Sequence, residues 1–348
     1  MQESKYLIHT KAPIRTRKLR FPKKAFGYAL HFEKKLIYLF TFLFFISCSK
    51  EIEIKIPEKK PKIVVNSTLV PFTLPAPKSL YLNIQNSATI FDTTKDNTIK
   101  NAIVLLYSNG IFFDTVHYVD SVRNYPIKQS FNPIAGDKID VKVIKDGFEN
   151  VSATSRIPLK VIITDTAITP IAYFDETGAI FSEIKITFSD PANEINFYEL
   201  VVTDIAYSNY DDPDIYYNLT TQDEIITSES YYPSILNFAT DKPKYLLFKD
   251  KKISGQTHTL TVYYMPPIEP VGGYINDHYI SIHLRNVTED YYKFKTTMLQ
   301  QMYGKKEDIL YGVAEPINVF TNIKNGYGIF AGFNNDIVSI HVNKTKYK

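Results

Sequence analysis

Two short stretches of this chain hold residues whose type and spacing could do chemistry. The first is Leu36–Glu53, LIYLFTFLFFISCSKEIE, which sets the only cysteine, Cys48, directly after an apolar run. Lys34 and Lys35 precede eleven uncharged residues, Leu36–Ile46, and the small residue Ser47 stands just before the thiol. A basic start, a short apolar core and a small residue at the cut describe a secretory signal. The thiol of a cysteine that follows such a cut is the natural point for a lipid, as on bacterial lipoproteins, so Cys48 is the candidate lipidation residue. The competing reading, a membrane-spanning helix, fails on length. Eleven residues rising about 1.5 Å each cover only about half of a ~30 Å hydrocarbon core. Phe45 stands where such sites usually carry Leu.

The second stretch is Ser208–Asn218, SNYDDPDIYYN, which gathers Asp211, Asp212 and Asp214 beside Tyr216 and Tyr217. Hard cations such as Ca²⁺ take clustered carboxylate and amide oxygens, which makes this a candidate ligand or cation loop. It lacks the spacing of an EF-hand loop, and a solvated acidic loop is the simpler expectation. Tyrosine pairs recur at Tyr216-Tyr217, Tyr231-Tyr232 and Tyr263-Tyr264. On strands such neighbours face opposite ways, so one of each pair could offer a ring and a hydroxyl to a ligand while the other packs inside.

Other constellations are thin. His117, His258, His278, His283 and His341 follow the apolar run, none at a helical metal-ligand spacing, and structural or solvated roles are expected for them. His278 and His283 are five apart on an expected strand and so should face opposite sides. No GxSxG elbow and no phosphate-cradling glycine loop occurs, and no cofactor is indicated. Paired carboxylates for glycoside cleavage leave no fixed spacing, so a hydrolase stays open as the least favoured function.

Charge narrows the partners. Residues 1–47 carry ten Lys/Arg and two Asp/Glu of the chain's 40 and 37, so the remainder has 30 basic and 35 acidic residues, a net of −5. The basic balance belongs to the export segment, which removes the argument for a nucleic-acid partner. Met1–His31 is longer than a usual signal n-region, which points to a true start inside it, although no second Met precedes Cys48. With a single Cys no internal disulfide is available, so an exported protein of this size must rely on core burial.

The rest of the sequence supplies what must position these residues. It holds 26 Tyr and 23 Phe with no Trp, which suits pleated, half-buried surfaces. The expected architecture is mainly β: two β-sandwich-like domains, the first prealbumin- or Ig-like, with one short helix in the second. Residues 1–47 form the basic extension and signal, 48–62 the lipidated Cys and a charged tether, 63–157 the first sandwich and 158–348 the second domain. In the first, IVVNSTLV (63–70), SLYLNI (79–84) and KIDVKVIKDGF (138–148) read as strands. AIVLLYS-NG-IFFDTVH is a hairpin closed by Asn109-Gly110. In the second, VIITD (161–165), EIKITFSD (183–190), FYELVVTD (197–204), HTLTVYYM (258–265) and YISIHLRNV (279–287) have strand composition. TEDYYKFKTTMLQQM, 288–302, reads as a helix capped by Thr288 or Asn286, with a Tyr291, Phe294, Met298, Met302 stripe and a stop at Gly304. Residues 204–245 show no strong period, so they hide a hairpin or form a functional loop.

Several segments together resemble the uncharacterised Bacteroidota outer-membrane lipoprotein family known as domain of unknown function 4249. They are EIEIKIPEKKPKIVVNSTLVP after Cys48, NAIVLLYSNG, GFENVSATSRIP, FSDPANEINFYELVV, LFKDKKISGQ, HLRNVTEDYYKF and, most specific, PINVFTNIKNGYGIF with Asn322, Gly326 and Gly328 at a turn. The resemblance implies a lipid anchor in the outer membrane, on its periplasmic or cell-surface face, often beside a TonB-dependent receptor, and no established activity. It leads to the expectation of a non-enzymatic ligand-binding or accessory component of a TonB-dependent uptake system. The alternative is a structural or adhesive surface module.

Overall fold

The computed structural model of the chain describes residues 60–71, 80–88, 96–192, 194–205, 215–229, 244–269, 271–311 and 317–347, with the backbone alone along 303–311. Strands dominate. The first part of the chain gives β1 (Ile63–Leu69), β2 (Tyr81–Asn86), β3 (Ile103–Ser108), β4 (Ile111–Val116), β5 (Tyr125–Pro126), β6 (Lys138–Ile144) and β7 (Val151–Arg156). Next come β8 (Ile163–Phe174), β9 (Ile180–Ser189), β10 (Phe197–Asp204), β11 (Ile215–Tyr216), the one-turn helix α1 (Glu224–Thr227) and β12 (Tyr245–Lys249). The remainder is β13 (Thr257–Tyr264), β14 (Tyr274–Ile275), β15 (His278–Val287), the helix α2 (Glu289–Tyr311), β16 (Tyr327–Val342) and β17 (Thr345–Lys346).

One eight-stranded sheet runs β11-β10-β15-β16-β1-β2-β5, with β12 on β10 as well. All its pairings are antiparallel except β1 with β16, which run parallel from Val64 opposite Tyr327 to Leu69 opposite Gly332. A four-stranded sheet, β4-β3-β6-β7, covers the β1-β2 end of its inner face. A three-stranded sheet, β13-β9-β8, covers the β10-β15 end. The chain is therefore mainly β, as its composition predicts, and Lys60–Lys348 form one compact unit.

Period-two patterning explains both cores. Along β1, Ile63, Val65 and Leu69 point inward and meet Leu82 and Ile84 of β2, Val104 and Leu106 of β3, and Val141 and Val143 of β6. Tyr125 lies fully inside this core, and its hydroxyl donates to the Ile99 carbonyl at 2.7 Å while accepting from Ala102 N–H at 3.0 Å. That pairing removes the cost of burying a phenol. The second core joins Ile184, Ile186 and Phe188 of β9 and Leu260 and Val262 of β13 to alternate residues of β10 and β15.

The Asn109-Gly110 hairpin forms as its residues require, with φ of 51° and 80° linking β3 to β4. The helix departs from its expected bounds. It begins after Thr288, whose carbonyl accepts from Tyr292 N–H at 3.0 Å, but it runs through Gly304 to Tyr311. One interior glycine costs a helix only about 1 kcal/mol relative to alanine, and the Lys305-Lys306-Glu307 that follows favours continuation. The buried stripe is also rotated from the expected one. Tyr291, Tyr292, Thr296 and Leu299 are buried, while Met302 is 56% exposed.

Candidate functional site

The outer face of the large sheet is where α2 lies back across the strands. Alternation on β10 turns Tyr198, Leu200 and Val202 into the second core and leaves Phe197 and Glu199 on the helix side. Glu199 is directly opposite Arg285 in the β10–β15 register, and Arg285 Nη1 donates to Glu199 Oε2 at 2.7 Å. The helix supplies the other two members. Tyr291 and Lys295, one turn apart, both face the same carboxylate. The Tyr291 hydroxyl donates to Glu199 at 2.9 and 3.0 Å, and Lys295 Nζ stands 3.9 Å from it.

Glu199 is only 1% exposed, and these partners satisfy its buried carboxylate oxygens. Burial pushes the Tyr291 hydroxyl well above the usual phenol range, and the charge of Glu199 adds to the effect, so Tyr291 stays a donor. Burial also lowers the pKa of Lys295; Glu199 opposes that shift and Arg285 adds to it. The ammonium rests on ring faces, 4.4 Å from the Tyr245 centroid and 5.5 Å from that of Tyr291. The Arg285 guanidinium lies 5.0 Å from the Phe333 ring centroid.

This cluster forms part of a cleft of about 610 Å³ between α2 and the outward residues of β1, β2 and β11. Asn66, Tyr81 and Asn83 line it on the β1-β2 side, Tyr216 on β11, and Phe294 on the helix. Its volume falls within the roughly 300–1,000 Å³ of ligand sites. Among the described residues no Asp or Glu lines it. A smaller depression of about 420 Å³ flanks the other side of α2 and carries charges of both signs. There Lys293 meets Glu289 at 2.8 Å and Asp250 accepts from Asn196 N–H at 2.7 Å.

The family model for the domain of unknown function DUF4249 matches residues 49–337. The chain belongs to the DUF4249 family. No curated protein matches the sequence significantly. A solved structure described as a membrane-anchored protein from Corynebacterium diphtheriae is similar over 66% of this chain at 10% identity, with a TM-score of 0.20. The match spans 55% of that protein and is too slight to bear on fold or function.

Within this DUF4249 chain the sequence-derived candidates fall as follows. Cys48, Asp211, Asp212, Asp214, Tyr231 and Tyr232 lie outside the described residues. Tyr216 and Tyr217 face opposite ways. Tyr216 lines the cleft, whereas Tyr217 donates to Asp204 Oδ2 at 2.8 Å and packs its ring 4.8 Å from that of Tyr264. Tyr264 is fully buried and Tyr263 donates to Glu183 at 3.3 Å.

The histidines are dispersed. His278 bonds Tyr264 and the Asn276 carbonyl on the core side of β15, while His283 on its other face lies near Thr203 and Asn335. His258 meets Asp223 at 2.8 Å, His341 meets Asp277 at 2.9 Å, and His117 is exposed. Among the described residues no group of three or more His, Cys, Asp or Glu is placed to hold a metal ion, and no helix is long and apolar enough to cross a membrane.

The Glu199–Arg285–Lys295 set was not singled out from sequence. Its signal was present, since FYELVVTD and YISIHLRNV each carry one charge of opposite sign in mid-strand. A charge there needs a partner, and the other strand offers it.

Proposed function

We propose that this protein is a lipid-anchored, non-enzymatic component of the outer membrane that binds a ligand in the cleft beside α2 and assists a TonB-dependent uptake system. The observation that carries the binding part is the cleft itself, with two partly buried cations and a set of ring faces along it. The anchor rests on the sole cysteine after a short apolar run, and the 49–62 tether would hold the fold away from the bilayer. The receptor link rests on the family resemblance.

Two experiments test the reading. Replacing Cys48 by Ala should move the protein from the membrane fraction to the soluble fraction; unchanged retention removes the thiol anchor. Affinity capture from a mild-detergent outer-membrane extract should bring down a TonB-dependent receptor at near-equal stoichiometry. Capture of the bait alone removes the uptake role. A structural or adhesive surface module is the second reading, favoured by the β3–β4 hairpin tip, where Ile111 is 74% exposed next to the exposed Phe112.

A further inference from the structure

The donors left over around Glu199 decide what the cleft can hold. Glu199 accepts from Arg285 and from the single Tyr291 O–H, which its two oxygens share. Arg285 spends only its Nη1 on that bond. Its Nε–H is buried without a partner, and Nη2 makes no bond among the described residues. Nε is closed to solvent, so Nη2 is the Arg285 nitrogen left to donate to a molecule in the cleft. Lys295, at 3.9 Å from Glu199, is beyond hydrogen-bond reach and donates to no described residue.

Among the described residues two cations therefore face one carboxylate, which leaves one unit of positive charge uncompensated in a partly buried setting. A buried N–H without an acceptor is costly, and an uncompensated buried charge more so. A structural ion network with no further role would be expected to pair its own charges. Around this surplus, the rings of Tyr81, Tyr216 and Phe294 and the amides of Asn66 and Asn83 line the rest of the cleft.

Resting on the reading of the cleft as a ligand site, we infer that it selects small organic monocarboxylates. The carboxylate accepts from Nη2 of Arg285 and from the ammonium of Lys295, and the body of the molecule lies among the rings and amides. A neutral ligand leaves the charge surplus unanswered. A cation is repelled.

Calorimetric titration of the full chain at low salt tests this with two acids, D-glucuronate and benzoate, and their neutral counterparts, D-glucose and benzamide. The acids should bind with Kd of about 1 mM or tighter, and the neutral molecules about tenfold or more weakly. Arg285→Gln would strand Glu199 and could unfold the protein, so Lys295→Gln carries the mutational test. It should fold as the native chain does by circular dichroism, yet bind both acids about tenfold more weakly. Equal binding of acids and neutral molecules overturns the inference and leaves the cleft a ligand site. Undiminished acid binding by K295Q overturns the inference as well. Silence from all four probes at about 20 mM overturns both the inference and the ligand-site reading.

Discussion

Lys295 shows how one residue reports on the site. It is faced by Glu199 from β10, Arg285 from β15, Tyr245 from β12 and Tyr291 on its own helix. Burial lowers its pKa in the folded chain below the value near 10.4 that it has unfolded. Between the two values the unfolded chain binds more protons, so this group makes stability rise as pH increases through that window. Below it, the folded state carries the full cost of the buried ammonium. Other lysines and tyrosines titrate in the same range, which makes the informative quantity a difference. The stability of the native chain minus that of K295Q, from urea unfolding at a series of pH values, should increase toward alkaline pH; a difference independent of pH removes this account of Lys295. Glu199 supplies the complementary case. Glu199→Ala leaves both cations without their anion and should cost about 3–5 kcal/mol of unfolding free energy.

Among the elements, β16 decides most and was the least legible. Its sequence, YGIFAGFNNDIVSIHV, mixes two glycines with a polar Asn-Asn-Asp, and both read as turn signals. The structure gives each a packing reason. A Cβ on Gly328, where φ is 98°, would fall 2.2 Å from the Val65 carbonyl oxygen, and one on Gly332 would fall 2.2 Å from that of Arg156. These glycines let β1 pair in parallel and let the end of β7 come close. Asn322 stands just before the turn at 325–326, pairs with both backbone groups of Phe330 at 2.7 and 3.0 Å and donates to Asp290 at the start of α2. By contrast β1, β3, β10 and β15 were readable, because alternation or a continuous apolar run marks a strand without reference to its partners. Close approach of two backbones leaves no such local trace. Gly328→Ala should therefore destabilise by about 2 kcal/mol or more, from the backbone clash together with the positive φ. Gly110→Ala makes the control: φ is 80° but nothing lies within 4 Å, so the conformational cost of about 1–2 kcal/mol stands alone. Equal losses in the two variants would mean that β1 and β16 can separate without penalty.

For the whole molecule, the question is whether two cores behave as one cooperative structure. The first core draws on Ile63–Ile157 but also on Ile323 and Phe330, and the second includes Val342 from the far end of the same strand, β16. The crossing segment between them is fastened to β16 at several points. Asn334 donates to the Pro158 carbonyl at 3.1 Å, Asp336 accepts from Ile163 N–H at 2.8 Å, and Lys160 meets Asp336 at 2.7 Å. Asn286 adds a bond to the Leu159 carbonyl at 3.1 Å. Unfolding either core would strip partners from β16 and from this segment, so the loss should spread to the other. Urea unfolding followed by far-ultraviolet circular dichroism and by tyrosine fluorescence should give coincident single transitions. Asp336→Ala removes two fastenings at once and leaves Ile163 N–H without its acceptor, which costs about 1–3 kcal/mol. If the fastening is what couples the cores, the two probes should separate in that variant, with different midpoints. Two separate transitions in the native chain would instead mean that each core stands on its own and that β16 is only a shared border.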